Sequence, residues 1–287
     1  MMTINDIQNA IDAVLVDSEL TLAPCADGTM PFRRWGRGQR EILVLAHGGS
    51  GSWTHWIRNI PYLSERFDLL VPDLPGLGDA AALPQGYTAE DAAGFLGNGI
   101  RGVIGGARYH LVGFSWGCTL ASLVAAEHHD QLKSLMLIGP AALGEMPRRS
   151  NMQALIKRTP DMSAEQVAAA NRENLARLMI HDRDRIDELA VYLQTWNTHR
   201  ARFNSPQFAL STRVLDSLKS VTVPLSVLYG EFDAPAYPNF EAREARLKEV
   251  CPGLEFDIIP GAGHWLQYEL ADVFNARCEA WVKAKAD

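Results

Sequence analysis

Cysteine is scarce and shows no paired spacing. The 287-residue chain has four, Cys25, Cys118, Cys251 and Cys278. They lie far apart with no C-x-x-C, which argues against a zinc ribbon or a dithiol redox motif. The expectation is four reduced thiols in a cytoplasmic protein. No apolar run approaches the ~20 residues that span a bilayer. The first twenty residues lack a basic start and carry Asp6, Asp12 and Asp17, which argues against a signal peptide. Basic residues are outnumbered, 27 against 34 acidic ones, for a net charge of −7. That balance disfavours nucleic acid and anionic membrane, and a small-molecule substrate is the expected partner. Internal repeats and low-complexity segments are absent too. Composition leaves a homo-oligomer open.

What is present suits a globular enzyme. Apolar residues make up 47% and charged residues 21%, ordinary for a soluble fold. A chain of this length can bury a large core and a pocket together. Ile4, Ile7, Ile11, Val14 and Leu15 recur at helical spacing, predicting an amphipathic N-terminal helix that packs on the core. Short apolar runs follow at Ile42–Leu45, Leu69–Val71, His110–Gly113 and Leu135–Ile138, each ending at Gly or Pro. Such runs suit strands buried on both faces of a parallel sheet. A helix over Leu120–His128 completes a βαβ pattern.

From residue 145 to 212 the strand signals stop. Ser163-Ala-Glu-Gln166 has the spacing of a helix capping box. Apolar residues then recur at Val167, Leu175, Leu178 and Met179, and at Ile186, Leu189, Ala190 and Leu193. The expected organisation is a core of residues 1–144 and 213–287 with a helical lid, 145–212, inserted in it. Strands return at Leu225–Tyr229 and Phe256–Ile259, with helices at Phe240–Val250 and Asp272–Val282.

Gly113-Phe-Ser115-Trp-Gly117 follows a predicted strand and opens a predicted helix. A sharp turn there holds a serine in a strained conformation with its Oγ exposed, and small residues two before and two after permit it. Ser115 is the expected nucleophile, and Trp116 N–H an expected oxyanion donor. A serine needs a base. His264, in Pro260-Gly-Ala-Gly-His264-Trp265, combines a Gly-rich loop with the end of the last strand, unlike the seven other histidines. Asp233, in Gly230-Glu-Phe-Asp233, is the expected orienting acid, with Glu231 its near alternative. The second oxyanion donor belongs in His47-Gly48-Gly49-Ser50-Gly51, with Gly49 first and Ser50 second. That loop lacks the G-K-[ST] or G-x-G-x-x-G of a nucleotide site. No metal or organic cofactor is required.

Together these features resemble the α/β-hydrolase superfamily across the whole chain. Asp73-Leu-Pro-Gly76-Leu-Gly78 looks like the D-x-P-G-x-G loop of that family. The resemblance implies an eight-stranded, mostly parallel sheet, helices on both faces, and a cap between strands six and seven. Within the superfamily, Gly263-His264-Trp265-Leu-Gln-Tyr-Glu269 looks like the meta-cleavage-product hydrolases, which cut carbon–carbon bonds in dienoic diketo acids. That group usually has Asn where Phe114 stands, and a cap arginine before an aromatic. Here the nearest stretch is Leu193-Gln-Thr-Trp196, with Arg200 or Arg202 as substitutes from a neighbouring turn.

Ser50, Phe114, Trp196 and Trp265 are the expected pocket residues, alongside Trp53, Trp56 and Trp116 near the catalytic loops. Met152, Met179, Phe203 and Phe208 fall in the lid. Aromatics at strand ends favour an apolar acyl group. Cys118, one helical turn beyond Ser115, is expected to be a small core filler. The leading expectation is a carboxylic ester hydrolase for a small or medium apolar substrate. Its rivals are a carbon–carbon hydrolase and a non-catalytic receptor on the same fold.

Overall fold

The computed structural model describes residues 2–38, 41–127, 130–146 and 153–286. Met152, His128 and His129 lie outside the described residues. In chain order, α1 (Ile4–Leu15) precedes β1 (Glu19–Cys25), β2 (Gly28–Trp35) and β3 (Ile42–Ala46). Then come α2 (Ile60–Ser64), β4 (Asp68–Pro72), α3 (Ala89–Ile104), β5 (Tyr109–Phe114), α4 (Trp116–Glu127) and β6 (Leu132–Ile138). Three helices follow, α5 (Ala164–Leu178), α6 (Glu188–Arg200) and α7 (Arg213–Leu218). The chain then forms β7 (Leu225–Gly230), α8 (Phe240–Val250), β8 (Glu255–Ile259), α9 (Leu266–Glu269) and α10 (Ala271–Ala284).

The strands form one eight-stranded sheet in the order β1-β2-β4-β3-β5-β6-β7-β8. β2 pairs antiparallel with both β1 and β4, and all other neighbours are parallel. This is the α/β-hydrolase fold. The centre is apolar on both faces, as the continuous runs predict. β4, β5 and β7 are buried at every position. Side chains alternate between two core clusters. Tyr109 and Leu111 of β5 join Leu96 of α3, Val124 of α4 and Leu247 of α8. Val112 and Phe114 join Leu63 of α2 and Trp281 of α10 on the other face.

Two departures concern the N-terminal region. Ile7 and Ile11 of α1 are buried, but Ile4 in the first helical turn is 75% exposed. β1 and β2 carry weak sequence signals. Residues Glu19–Leu22 are exposed on both faces of an edge strand, so no alternation marks them.

Between β6 and β7, α5 starts at the capping box. Gln166 N–H donates to Ser163 Oγ, and Ser163 N–H donates back to Gln166 Oε1 at 2.7 Å. Leu175 of α5 and Leu189, Ala190 and Leu193 of α6 pack in the same cluster as Phe114 and Trp265. Ile186 is buried from the turn before α6 rather than from a helix. No helix of the described residues is long and apolar enough to cross a membrane.

Candidate active site

The turn from β5 into α4 places Ser115 at the C-terminal end of the sheet. Its φ is +51°, a left-handed conformation that costs a non-glycine residue about 1–2 kcal/mol. Ser115 N–H donates to Ile138 O at 2.8 Å, which locks the turn against the end of β6. The flanking glycines have no room for a side chain. A Cβ on Gly113 would stand 2.6 Å from Gly117 O, and one on Gly117 would stand 2.4 Å from Ala46 O. Ser115 is also the least buried residue from 111 to 120. Cys118, by contrast, is fully buried, with its Sγ on Gly113 O and Ile138 O. Burial pushes that thiol far up.

His264 Nδ1 lies 2.8 Å from Asp233 Oδ2. A carboxylate only accepts, so Nδ1 carries the proton and Nε2 is left free to act as a base. Both side chains are buried, Asp233 completely. The loops that carry them follow β7 and β8 and are stitched together by Phe232 N–H donating to Ala262 O at 2.8 Å. Gly139, at the end of β6 with φ +57°, leaves space for the pair. A Cβ there would stand 2.8 Å from His264 Cε1 and 2.9 Å from Asp233 Oδ2. Glu231, the alternative acid, is exposed and accepts from Gly261 N–H instead. Ser115 Oγ makes no hydrogen bond to His264 here; such contacts commonly tighten only with substrate bound.

The Gly-rich loop after β3 lies against this turn. A Cβ on Gly48 would be 3.3 Å from Ser115 Cβ, and one on Gly49 would be 3.6 Å from Trp116 Cβ. The expected oxyanion residues Gly49 and Trp116 are therefore neighbours. Ser50 is half-buried with φ +48°. Two buried histidines brace the loop. His47 Nδ1–H donates to Gly48 O at 2.8 Å while its Nε2 accepts from Leu74 N–H at 2.8 Å. His55 Nδ1 accepts from Gly48 N–H at 3.2 Å. Burial holds both rings neutral, His47 down at about 4 and His55 well below the usual range.

The D-x-P-G-x-G loop buttresses the other side. Asp73 Oδ1 accepts from Trp53 N–H at 2.7 Å and Oδ2 from Asp79 N–H at 3.0 Å. Burial raises the Asp73 carboxyl, with the nearby Arg33 opposing that shift. From α6, the fully buried Asn197 accepts from Ser52 Oγ at 2.7 Å and donates to Thr54 Oγ1 at 3.0 Å. Glu269 fastens the histidine loop to the turn between α5 and α6. Its carboxylate accepts from Gly263 N–H at 2.7 Å, Asp182 N–H at 2.7 Å and His181 N–H at 3.2 Å. His47, His55, Asn197 and Glu269 are bracing residues that sequence reading gives no role. Only Glu269 carries a signal, as part of the C-terminal motif.

The expected pocket residues take the following places. Phe114 is fully buried, its ring 5.0 Å from that of His264, so it packs against the imidazole. Trp265 is also fully buried. It stacks on Tyr268 at 4.2 Å, and its Nε1–H donates to His55 O. Trp53 and Trp56 are core residues as well. Trp196 is half-buried beneath the Arg200 guanidinium. Arg200 pairs with Asp79, and Arg202 donates to Gly78 O and Ala80 O. Both guanidinium groups are thus engaged on the 78–80 loop.

Around Trp116 the segment between β6 and β7 supplies aromatics, with Phe203 at 4.9 Å and Phe208 at 5.3 Å between ring centroids. Ser205 sits against Gly49, its Oγ 2.2 Å from where a Cβ would be. A separate cavity of about 230 Å³ is lined by Met179, His181, Phe232, Tyr237 and Gly263, and not by Ser115.

Comparison with known proteins agrees with this fold. Residues 43–277 match the model of the alpha/beta hydrolase family. The chain is 26% identical over 259 residues to a 2-hydroxy-6-oxo-6-phenylhexa-2,4-dienoate hydrolase of Burkholderia cepacia, covering 83% of this chain and 86% of that protein. It is 28% identical over 252 residues to a 2-hydroxy-6-oxononadienedioate/2-hydroxy-6-oxononatrienedioate hydrolase of Comamonas testosteroni, with the same coverage, 83% and 86%. Among solved structures, a carboxylesterase from Bacillus subtilis superposes with a TM-score of 0.70 at 22% identity, covering 96% of each chain. The chain belongs to the alpha/beta hydrolase family.

Proposed function

We propose that this hydrolase cleaves a small or medium apolar carboxylic ester by two-step acyl transfer. The observation that carries the reading is the 2.8 Å bond from His264 Nδ1 to Asp233 Oδ2, set beside a serine held at φ +51°. Ser115 Oγ attacks the carbonyl carbon while His264 Nε2 takes its proton. Asp233 holds the resulting imidazolium. Trp116 N–H and Gly49 N–H receive the oxyanion. Collapse of the tetrahedral intermediate expels the alcohol, which takes the proton from His264. Water, activated by the same imidazole, then resolves the acyl-enzyme and restores Ser115.

Residues 145–212 act as a cap in this reading. Phe203 and Phe208 against Trp116 support an apolar group on the substrate. A second reading, carbon–carbon hydrolysis of a dienoic diketo acid, is favoured by the relatives in Burkholderia cepacia and Comamonas testosteroni. Against it, Arg200 and Arg202 are engaged on the 78–80 loop and do not offer a cation to an acid. A substrate panel separates the two. Turnover of aryl esters well above that of a vinylogous 1,5-diketo acid is expected, and the reverse order would replace the ester reading. A fluorophosphonate should label folded protein at Ser115. Absence of a Ser115-dependent adduct would favour a non-catalytic receptor.

A further inference from the structure

Both backbone polar groups of Gly48 end on imidazoles. Its N–H donates to His55 Nδ1 at 3.2 Å, and its carbonyl accepts from His47 Nδ1–H at 2.8 Å. A trans peptide is planar, with C=O and N–H on opposite edges. The Gly48 carbonyl and the Gly49 N–H share one such plane. Holding the carbonyl on His47 turns the Gly49 N–H to the other edge. The preceding plane, which carries the Gly48 N–H, is held by His55. Glycine has the least restricted backbone of any residue, so two independent restraints are needed to fix it.

We propose that His55 is a positioning residue for the oxyanion donor Gly49 N–H, acting through Gly48. The proposal rests on the Ser115 reading above. His55 is 1% exposed and built in from all sides. Its ring lies 5.5 Å from Phe114 and 5.0 Å from Trp265, between centroids. Gly51 covers the ring, and a Cβ there would stand 2.2 Å from His55 Cε1. Trp265 Nε1–H donates to His55 O at 3.0 Å, so the residue after His264 also fixes the His55 backbone. The oxyanion loop and the loop of the base are thereby tied to one residue, the first through its imidazole and the second through its carbonyl.

Only a neutral ring with a bare Nδ1 can accept from Gly48 N–H. Protonated, His55 would set donor against donor. Burial, together with repulsion from His47 and His264, keeps the ring neutral. The acceptor therefore survives the moment when His264 takes the proton of Ser115.

Steady-state kinetics on an aryl ester test the proposal. His55→Leu keeps bulk and removes the acceptor, while His55→Asn returns an amide oxygen near the place of Nδ1. His55→Leu is expected to lower kcat on the order of 10²-fold, the scale of one lost oxyanion donor. KM should stay within about threefold, since the donor acts on the transition state. His55→Asn should recover most of the loss. An unchanged kcat in His55→Leu, a loss carried by KM, or no recovery in His55→Asn would overturn the proposal. Should the leucine variant not fold, ¹⁵N NMR of the wild type decides. A neutral His55 with its proton on Nε2 is expected, and a proton on Nδ1 overturns the proposal. Fluorophosphonate labelling of wild-type Ser115 is the control. Failure to label defeats the Ser115 reading and this inference with it, whereas normal labelling with an unchanged His55→Leu kcat defeats this inference alone.

Discussion

Asp233 gives one carboxylate oxygen to His264 and keeps the other, Oδ1, buried without a partner among the described residues. The acid therefore has His264 as its polar side-chain neighbour at the reacting end, and the identity of its Oδ2 atom decides which imidazole nitrogen is protonated.

Asp233→Asn reverses that decision. An amide NH₂ in place of Oδ2 would donate to Nδ1, push the proton onto Nε2 and remove the base. The expected loss in kcat is on the order of 10⁴-fold. Rotation of the amide to offer its oxygen would soften the loss. An unchanged kcat would transfer the role to Glu231 or another acid.

Ser115→Ala should abolish turnover and leave stability unchanged, because the left-handed backbone is strained for both residues. Ser115→Gly should also abolish turnover, but it relieves the strain. After the entropic cost of glycine, a net gain of about 0.5–1 kcal/mol is expected. Urea unfolding of the two variants reads the difference. Equal stabilities would mean that the turn stores no strain at φ +51°.

Gly139→Ala places a methyl 2.8 Å from His264 Cε1 and 2.9 Å from Asp233 Oδ2, at a position with φ +57°. The pair must move apart or tilt. A displacement near 1 Å in a catalytic group costs on the order of 10²-fold in rate. The loss in kcat is expected to exceed what the loss of folded protein explains, measured by activity per folded molecule. A fully active variant would show that the pair tolerates the shift.

His47 makes stability depend on pH. Its folded value is about 4, against 6.5 in the unfolded chain. Between those values the unfolded state binds more protons, so stability rises with pH across the window. The contribution is complete above pH 6.5 and lost as pH falls to about 4. Its size is roughly 3 kcal/mol by linkage. Urea unfolding from pH 7 to 4 should show a shallower slope in His47→Gln than in the wild type. Parallel slopes would mean that His47 is not buried neutral.

Much of this molecule is readable along the chain. The buried runs at Ile42, Leu69, His110 and Leu135 announce parallel strands, because a strand covered on both faces needs no alternation. Gly113, Ser115 and Gly117 announce the turn, because sterics at a tight strand-to-helix turn admit few residue types. The exposed edge strand β1 gives no such signal. Its residues Glu19–Leu22 face solvent on both sides, so nothing selects a period.

Local pattern also nominates Ser115, Asp233 and His264 one at a time, because each sits at a strand end where a loop must turn. It cannot tell which aromatics are core. Trp265 and Phe114 look like pocket walls in sequence, and both are fully buried, Phe114 against His264 and Trp265 against His55 and Tyr268. Nor can it find His47, His55 and Asn197. Their roles are hydrogen bonds to backbone atoms and to side chains up to 145 residues away, as for Asn197 and Ser52. Periodicity records which face of an element is buried. Which buried polar group meets which depends on the path of the whole chain, so those pairings arise only on folding.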